Sequence, residues 1–245
     1  MLQTRIIARI DIKNEFVIKG IHLEGLRKVG KPLELSNKYY SEGIDEIIFM
    51  DAVASLYDRN SLFHIIKAAS SASFVPISVG GGIRTVDDAY RAFDSGADKV
   101  VINTAAVKDI SIVRTIANRF GSQAMVASIQ AKQTNTGTWQ AYVDNGREPT
   151  GLDVQDWSRK LISEGAGEIV LTSVDQEGTQ KGFDLKLASQ IISNAPIPIT
   201  ISGGCGQISH IKDLITTCNP SGIAIASCFH YNKFTADQAK SELFT

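Results

Sequence analysis

The stretch SEGIDEI at residues 41–47 recurs later in the chain as SEGAGEI at residues 163–169. Five of the seven positions are identical, and the copies lie 122 residues apart, which is half of the 245-residue length. Self-similarity at a fixed spacing indicates a repeated architecture. We therefore predict one domain over residues 1–245, formed by two fused half-repeats at about 1–122 and 123–245.

Short apolar runs typical of β-strands alternate with stretches of helical periodicity in both halves. The predicted strands are Ile6–Ile10, Glu46–Met50, Ile77–Val79, Lys99–Ile102, Ala124–Ile129, Glu168–Thr172, Ile197–Ile201 and Gly222–Ala226. The predicted helices are Leu33–Ser41, Ser61–Ala72, Val86–Ser95, Ile110–Arg119, Val154–Glu164, Leu185–Ser193, Ile208–Thr217 and Ala236–Leu243. Eight strand–helix units predict an α/β fold of the (β/α)8 TIM barrel type. A doubly wound sheet is the alternative, but two matching halves of four units favour a closed barrel.

One insertion interrupts this alternation at about residues 134–147. It contains WQAYV at residues 139–143, followed by Asp144-Asn145-Gly146, a pattern typical of a small β-hairpin. The insertion follows the fifth predicted strand. It is therefore expected at the end of the barrel where active sites of this fold occur.

The charge balance argues against two classes of partner. Lys and Arg number 25 and Asp and Glu number 26, so a net charge of −1 gives no electrostatic footprint for nucleic acid or an anionic membrane.

No apolar stretch reaches the roughly 18 residues of a membrane span. The three cysteines form no CxxC pair, and the N-terminal apolar run is too short for a signal peptide. We expect a cytoplasmic protein.

Two glycine-rich turns are candidate phosphate sites. Gly81-Gly82 lies after the third predicted strand, and Asn103-Thr104 lies at the end of the fourth. In the same way, Gly203-Gly204 lies after the seventh strand, and Ala226-Ser227 lies at the end of the eighth. Glycine lets backbone N–H groups approach an oxyanion, and a helix N-terminus adds partial positive charge. Two such sites facing each other across the barrel mouth would suit a ligand with a phosphate at each end. The alternative is that these glycines only turn the chain.

Carboxylates follow several predicted strands. Asp11 follows the first strand and is a candidate general acid/base, or else it caps a loop or pairs with a nearby lysine. Asp51 follows the second strand and is expected to orient a neighbour or to bond loop amides. Asp175 and Glu177 lie in a glycine-flanked loop over the mouth, where a solvated loop is the other interpretation.

Charged residues begin four of the predicted strands, at the opposite end of the barrel. They are Arg5, Glu46, Lys99 and Glu168. A closed eight-stranded barrel is filled with side chains, so inward charges there are costly unless they pair with one another. The two alternatives are an outward, solvated rim and a salt-bridged ring that closes the bottom.

The histidines His22, His64, His210 and His230 are scattered and lack ligand spacing. We therefore predict no metal site, and nothing in the sequence indicates a cofactor.

Together these residues resemble the cyclase-subunit family of imidazole glycerol phosphate synthase over essentially the whole chain. The matching segments are Arg5–Ala8 with Asp11 and Lys19-Gly20, Gly80–Ile83, Asp98–Val100, Ile102–Ala106, Phe120–Gln123, Gly165–Ile169, Leu171–Ser173 and Ser202–Gly204. The resemblance implies a twofold-repeated barrel that docks a glutaminase subunit at its N-terminal face. Ammonia would pass along the barrel axis to a diphosphorylated ribonucleotide, or a phosphate-like ligand, at the C-terminal face.

The resemblance also implies roles for individual residues. The four charges at the strand starts match the family's ammonia gate, and Asp98 matches a position at the glutaminase interface. Asp11 matches one of two catalytic aspartates, and Lys19 matches a lysine of a flexible loop.

The position of the second catalytic aspartate departs from the family pattern. It is occupied by Gln130, after the fifth strand. An amide cannot accept or deliver a proton near pH 7, and positioned acid/base catalysis contributes about 10²–10⁴-fold. Gln130 should therefore disable ordinary cyclase chemistry unless Glu177, itself in place of the family's usual aspartate, or water substitutes for it.

The chain also resembles paralogues of this barrel, including their segment at 146–151, GREPTG. Those paralogues accompany a glutaminase and an ATP-dependent sugar amidotransferase that builds amidino sugars for bacterial surface polysaccharide. We favour this ammonia-conducting function. The alternatives are an active cyclase of histidine biosynthesis and, less favoured, a phosphate-sugar isomerase on the same half-barrel plan, which would leave the charged gate unexplained.

Overall fold

A computed structural model describes residues 4–52, 62–241 and 243 of the chain. Its strands, in chain order, are β1 (Arg5–Lys13), β2 (Phe16–Ile21), β3 (Glu24–Gly30), β4 (Glu46–Asp51), β5 (Ile77–Gly80), β6 (Lys99–Ile102), β7 (Met125–Gln133), β8 (Trp139–Val143), β9 (Glu148–Asp153), β10 (Glu168–Ser173), β11 (Ile199–Ser202) and β12 (Gly222–Ile225). Eight of these described strands run parallel around a barrel, in the order β1, β4, β5, β6, β7, β10, β11, β12. β12 pairs with β1 and β7 pairs with β10, which closes the sheet. The predicted (β/α)8 barrel is confirmed.

Helices follow the barrel strands and cover the outside of the sheet. They are α1 (Pro32–Ser41), α2 (Phe63–Ala72), α3 (Val86–Asp94), α4 (Thr104–Lys108), α5 (Ser111–Phe120), α6 (Val154–Ser163), α7 (Leu185–Ile192), α8 (Ile208–Cys218), α9 (Ser227–His230) and α10 (Ala236–Ser241). Side-chain caps fix some of their starts: Thr85 forms a capping box with Asp88 at α3, and Asp153 accepts two backbone N–H groups at α6.

The predicted boundaries are wrong at several ends, each by a few residues. β11 begins at Ile199 rather than Ile197, because Pro198 has no backbone N–H for the sheet. β7 continues to Gln133, beyond the predicted end at Ile129, because its last residues pair with β8. The predicted helix start at Ser61 lies outside the described residues. The last helix, α10, is described over Ala236–Ser241, and residue 242, before its predicted end at Leu243, lies outside the described residues.

Two hairpins extend the barrel at the carboxyl ends of its strands. The predicted insertion forms β8 and β9 and reaches Asp153, past the predicted limit of residue 147. Its turn holds Asp144, Asn145 and Gly146 at φ values of 50°, 59° and 77°. The sequence analysis missed the other hairpin, β2–β3, which carries Lys19 over the mouth.

The barrel wall separates two apolar regions. The larger lies between the strands and the helices and includes Ile6, Ala8 and Ile10 of β1. The smaller lies inside the barrel and comprises Ile7, Ile48, Val101, Val126, Val170 and Ala224, with Met50 packed on it. Because successive residues of a strand point to opposite faces, Arg5, Arg9 and Asp11 share the lumen face with Ile7. Within the described ranges, no helix is long and apolar enough to span a lipid bilayer.

Candidate functional site

The four charges at the strand starts form a closed ring of ion pairs, which we call the lower ring. Arg5 contacts Glu46 at 2.5 Å and Glu168 at 2.7 Å. Lys99 Nζ lies 2.9 Å from Glu46 Oε2 and 3.0 Å from Glu168 Oε2. Each carboxylate thus bridges both cations, which distinguishes the lower ring from the alternative of an outward, solvated rim.

Two hydroxyl groups complete the lower ring. Ser78 Oγ donates to Glu46 Oε1 at 2.6 Å, and Thr200 Oγ1 donates to Glu168 Oε1 at 2.7 Å. Burial opposes ionisation of Glu168, but Arg5 and Lys99 outweigh it and hold the pKa of Glu168 below its usual value. The sequence analysis missed both hydroxyl residues, although Ser78 and Thr200 are related by the same 122-residue spacing as Glu46 and Glu168.

Asp98, the predicted interface residue, lies at the same end of the barrel, just before β6. It is exposed, and its Oδ2 accepts the backbone N–H of Ile77 at 2.7 Å. Asp45 accepts the N–H of Ile6 in the same way at 2.8 Å. Asp98 therefore supports the start of β5, and its role in docking a partner stays a prediction.

At the other end, Asp11 belongs to a line of buried charges that we call the mouth cluster: Arg9, Asp11, Lys19 and Glu177. Asp11 Oδ1 accepts from Arg9 Nε at 3.0 Å, and its Oδ2 lies 3.8 Å from Lys19 Nζ. Lys19 forms a second ion pair with Glu177. Asp11, Lys19 and Glu177 are at most 6% exposed. The alternative in which Asp11 pairs with a lysine is therefore present in the structure.

Burial and neighbouring charges shift the acid/base properties of the mouth cluster. Burial opposes ionisation of Asp11, but Arg9 and Lys19 outweigh it and lower its pKa. Burial and the nearby guanidinium of Arg9 lower the pKa of Lys19 to about 8, against the opposing effect of Asp11. At neutral pH, Asp11 is thus a carboxylate without a proton to donate.

Arg9 is a site residue that the sequence analysis missed. It is only 3% exposed, and its Nη1 donates to Thr172 Oγ1 at 2.9 Å and to Ser202 Oγ at 3.3 Å. Thr172 and Ser202 lie on β10 and β11, so the side chain reaches across the lumen from β1. The period-two alternation of β1, which places position 9 on the same face as Asp11, could have identified it.

Gln130 lies on β7 and lines the same cavity as Arg9 and Asp11. It is 5% exposed, and its Oε1 is buried with no hydrogen-bond partner among the described residues. A buried, unpartnered polar atom carries a desolvation cost of about 1–3 kcal/mol. Such an atom at the mouth of the barrel calls for an explanation other than stability.

The two predicted phosphate regions differ in the space they offer. Gly81, Gly82, Asn103 and Thr104 line a cavity of about 210 Å³. Gly81 adopts φ 87°, and a Cβ there would lie 2.3 Å from the carbonyl oxygen of Asp51, so only glycine fits. The backbone of Gly81 therefore packs directly against that of Asp51, which lines the same cavity.

The second region is almost filled. Gly203, Gly204, Ala226 and Ser227 border a space of about 10 Å³, which Lys19 and Glu177 also line. The salt-bridged Lys19–Glu177 pair therefore occupies the approach to this turn. Phosphate binding at both regions stays a prediction.

The remaining candidates lie outside the mouth cluster. Asp175 Oδ2 accepts the backbone N–H of Gln133 at 2.7 Å, so it fastens the loop rather than pointing free into solvent. His230 is buried, its Nδ1 lies 2.6 Å from Tyr39 Oη, and burial with the nearby Lys19 lowers its pKa to about 3. In the part of the chain that the structure describes, no three His, Cys, Asp or Glu side chains group as metal ligands.

The fold and the site define a (β/α)8 barrel protein with a candidate acid/base and phosphate site at the carboxyl ends of its strands. A family model described as "Histidine biosynthesis protein" matches residues 5–235. The chain is 56% identical over 212 residues to imidazole glycerol phosphate synthase subunit HisF of Legionella pneumophila, which covers 86% of this chain and 100% of that protein. It is 43% identical over 244 residues to the subunit of the same name from Lactococcus lactis subsp. cremoris (strain MG1363), covering 99% of this chain and 94% of the relative. This chain belongs to the histidine biosynthesis protein family, as a barrel of the imidazole glycerol phosphate synthase cyclase type.

Proposed function

We propose that this chain is an ammonia-conducting barrel subunit with impaired cyclase activity of its own. It docks a glutaminase subunit at the N-terminal face and passes ammonia along the barrel to an enzyme at the C-terminal face. The observation that carries this proposal is Gln130, whose unpartnered amide oxygen lines the mouth where the resemblance expects an aspartate.

The mouth cluster supports the loss of cyclase activity, because no carboxylate in it is free to replace the missing aspartate. Glu177, the candidate substitute, is buried and salt-bridged to Lys19. Asp11 is salt-bridged to Arg9. A general acid needs a pKa near the working pH, whereas the neighbouring Arg9 and Lys19 lower the pKa of Asp11.

The interior of the barrel supports passage of a neutral molecule. Above the lower ring lies the aliphatic layer that includes Ile7, Val101 and Val170. Transfer of ammonium into such surroundings is strongly unfavourable, whereas neutral ammonia meets a much smaller penalty. The lower ring would select the site of entry, and its ion pairs must separate for ammonia to pass.

The proposed acceptor is an ATP-dependent sugar amidotransferase of the kind that makes amidino sugars. The segment at 146–151, which carries the resemblance to such systems, follows the β8–β9 turn, and Arg147, Glu148 and Pro149 are exposed. A docking partner could reach this segment on the same side of the barrel as the mouth.

An active cyclase of histidine biosynthesis is the second candidate. The relatives carry the name imidazole glycerol phosphate synthase subunit, and the open cavity at Gly81 and Thr104 has room for a phosphate-bearing ligand. Asp11 is present at the mouth, as that chemistry would require.

Ammonium-dependent turnover of the diphosphorylated ribonucleotide by the purified chain separates the two candidates. Saturating ammonium at alkaline pH removes the need for a glutaminase. We expect no turnover by the unaltered chain, detectable turnover by Gln130→Asp, and none by the matched amide control Gln130→Asn. Turnover by the unaltered chain at a usual enzyme rate of about 1–10³ per second would overturn the proposal in favour of the cyclase.

A further inference from the structure

Arg9 is held in one position by three partners from three strands. Its Nε donates to Asp11 at 3.0 Å, and its Nη1 donates to Thr172 at 2.9 Å and to Ser202 at 3.3 Å. All four residues are buried, at 6% exposure or less. A buried guanidinium with three hydrogen-bond partners is a fixed part of the site and differs in this from a mobile surface arginine.

This placement determines what Asp11 can do. A buried carboxylate paired with a guanidinium keeps its charge, because the ion pair replaces the hydration that burial removes. A strongly stabilised carboxylate is a weak base, and near neutral pH it has no proton to deliver. Both properties move Asp11 away from the pKa near the working pH that acid/base catalysis favours.

The other charged groups around Asp11 do not cancel this effect. Lys19, from β2, also favours the ionised carboxylate, while its own partner is Glu177 from the loop after β10. His230, from α9, is neutral at physiological pH because its pKa is lowered to about 3. Asp51, from β4, lines the same cavity. Of these groups, Arg9 makes the shortest contact with Asp11, at 3.0 Å against 3.8 Å for Lys19.

We propose that Arg9 is a positioning residue that holds Asp11 as an ion-paired carboxylate and so forms a second block on cyclase chemistry beside Gln130. The inference rests on the proposed function and deepens it. Restoring the aspartate at position 130 leaves Asp11 ion-paired to Arg9, so Gln130→Asp alone regains only part of the acid/base activity. Fuller activity needs a change at both positions.

The test compares Gln130→Asp with the double variant Arg9→Met, Gln130→Asp in the ammonium-dependent assay. Methionine fills much of the same space without a charge. We expect the double variant to exceed Gln130→Asp at least tenfold in kcat. Arg9→Lys with Gln130→Asp is the matched control, because it keeps the positive charge and should give no such gain. Equal kcat for the single and double variants, both undetectable included, would overturn the inference.

The pH dependence of kcat/KM and the titration of Asp11 distinguish an electrostatic effect of Arg9 on Asp11 from a general effect of the substitution on packing. We expect the acid limb of the kcat/KM profile to move to higher pH in the double variant, and the carboxyl ¹³C resonance of Asp11, assigned by comparison with Asp11→Asn, to titrate at higher pH in Arg9→Met. If Arg9→Met does not fold, Arg9→Gln replaces it in both measurements. An unchanged Asp11 titration in a folded variant would contradict the proposal that Arg9 stabilises the Asp11 carboxylate. Turnover by the unaltered chain would instead overturn the proposed function, so the two failures are distinguishable.

Discussion

The two ends of the barrel lumen both hold charged side chains removed from water, but they pair these charges in different arrangements. In the lower ring, Arg5 and Lys99 each contact both Glu46 and Glu168, and hydroxyl groups satisfy the carboxylates further. In the mouth cluster the charges follow one another in a line, from Arg9 through Asp11 and Lys19 to Glu177. Every charge of the lower ring has two ion-pair partners, so the loss of any one residue opens the ring. In the mouth cluster, Arg9 and Glu177 stand at the ends and have one ion-pair partner each.

The neighbourhood of each end shows the same contrast. Next to the mouth cluster, Gln130 keeps a buried amide oxygen without a partner among the described residues. Polar atoms of that kind are rare in buried positions and are costly to retain. The comparison therefore suggests that the lower ring is organised for closure and the mouth for contact with a ligand or a partner. Three measurements test this difference.

The largest effect is expected for Glu168→Ala. Removing one carboxylate leaves Arg5 and Lys99 to share Glu46, and breaking a buried ion pair costs up to about 3–5 kcal/mol. Because Arg5 and Lys99 are partly exposed, we expect a loss of about 2–3 kcal/mol in the free energy of unfolding, measured by urea denaturation. The control Arg159→Ala, at an exposed pair with Asp156, should cost no more than about 0.5 kcal/mol. Equal losses in the two variants would remove the distinction between the lower ring and an ordinary surface pair.

Acid pH should weaken the lower ring before full unfolding. The pKa of Glu168 is lowered in the folded protein, so the unfolded chain binds more protons in the window below the usual value of 4.5. Stability from this residue is therefore complete above that pH and is lost as the pH falls through the folded pKa. We expect a plot of melting temperature against pH to fall less steeply below about pH 4.5 in Glu168→Gln than in the unaltered chain. Parallel curves would show that the ionisation of Glu168 does not support the fold.

The smallest effect is expected at the mouth, for Gln130→Met. This change removes the unpartnered amide oxygen and keeps a side chain of similar length, so the desolvation cost disappears. We expect stability to be unchanged or to rise by up to about 1 kcal/mol, measured under the same denaturant conditions as Glu168→Ala. A loss of more than about 1 kcal/mol would mean that the amide group makes a stabilising interaction, and the mouth would then resemble the lower ring.

The sequence was most informative where one residue type or one periodicity leaves few alternatives. Alternation of apolar runs with helical stretches predicted the barrel, because parallel strands need a crossover after each strand. The glycine turns could be placed because the backbone at Gly81 approaches Asp51 too closely for any side chain. The start of β11 was predicted too early because Pro198 has no backbone N–H for the sheet. The end of β7 was predicted too early because pairing with β8 extends it to Gln133. The β2–β3 hairpin, which places Lys19 in the mouth, turns through His22 and Leu23, residue types that do not indicate a turn.

The sequence alone specifies the (β/α)8 plan, the charged residues at the strand starts and the amide at position 130. Each of these follows from residue type and spacing along one strand, which the chain specifies locally. Three features could be seen only in the folded structure. Arg5, Glu46, Lys99 and Glu168 meet in a closed ring. Arg9 reaches Thr172 and Ser202 across the lumen, and Lys19 pairs with Glu177. The reason is physical: these partners lie on strands and loops far apart in sequence, and closure of the barrel brings their side chains within hydrogen-bond or ion-pair distance.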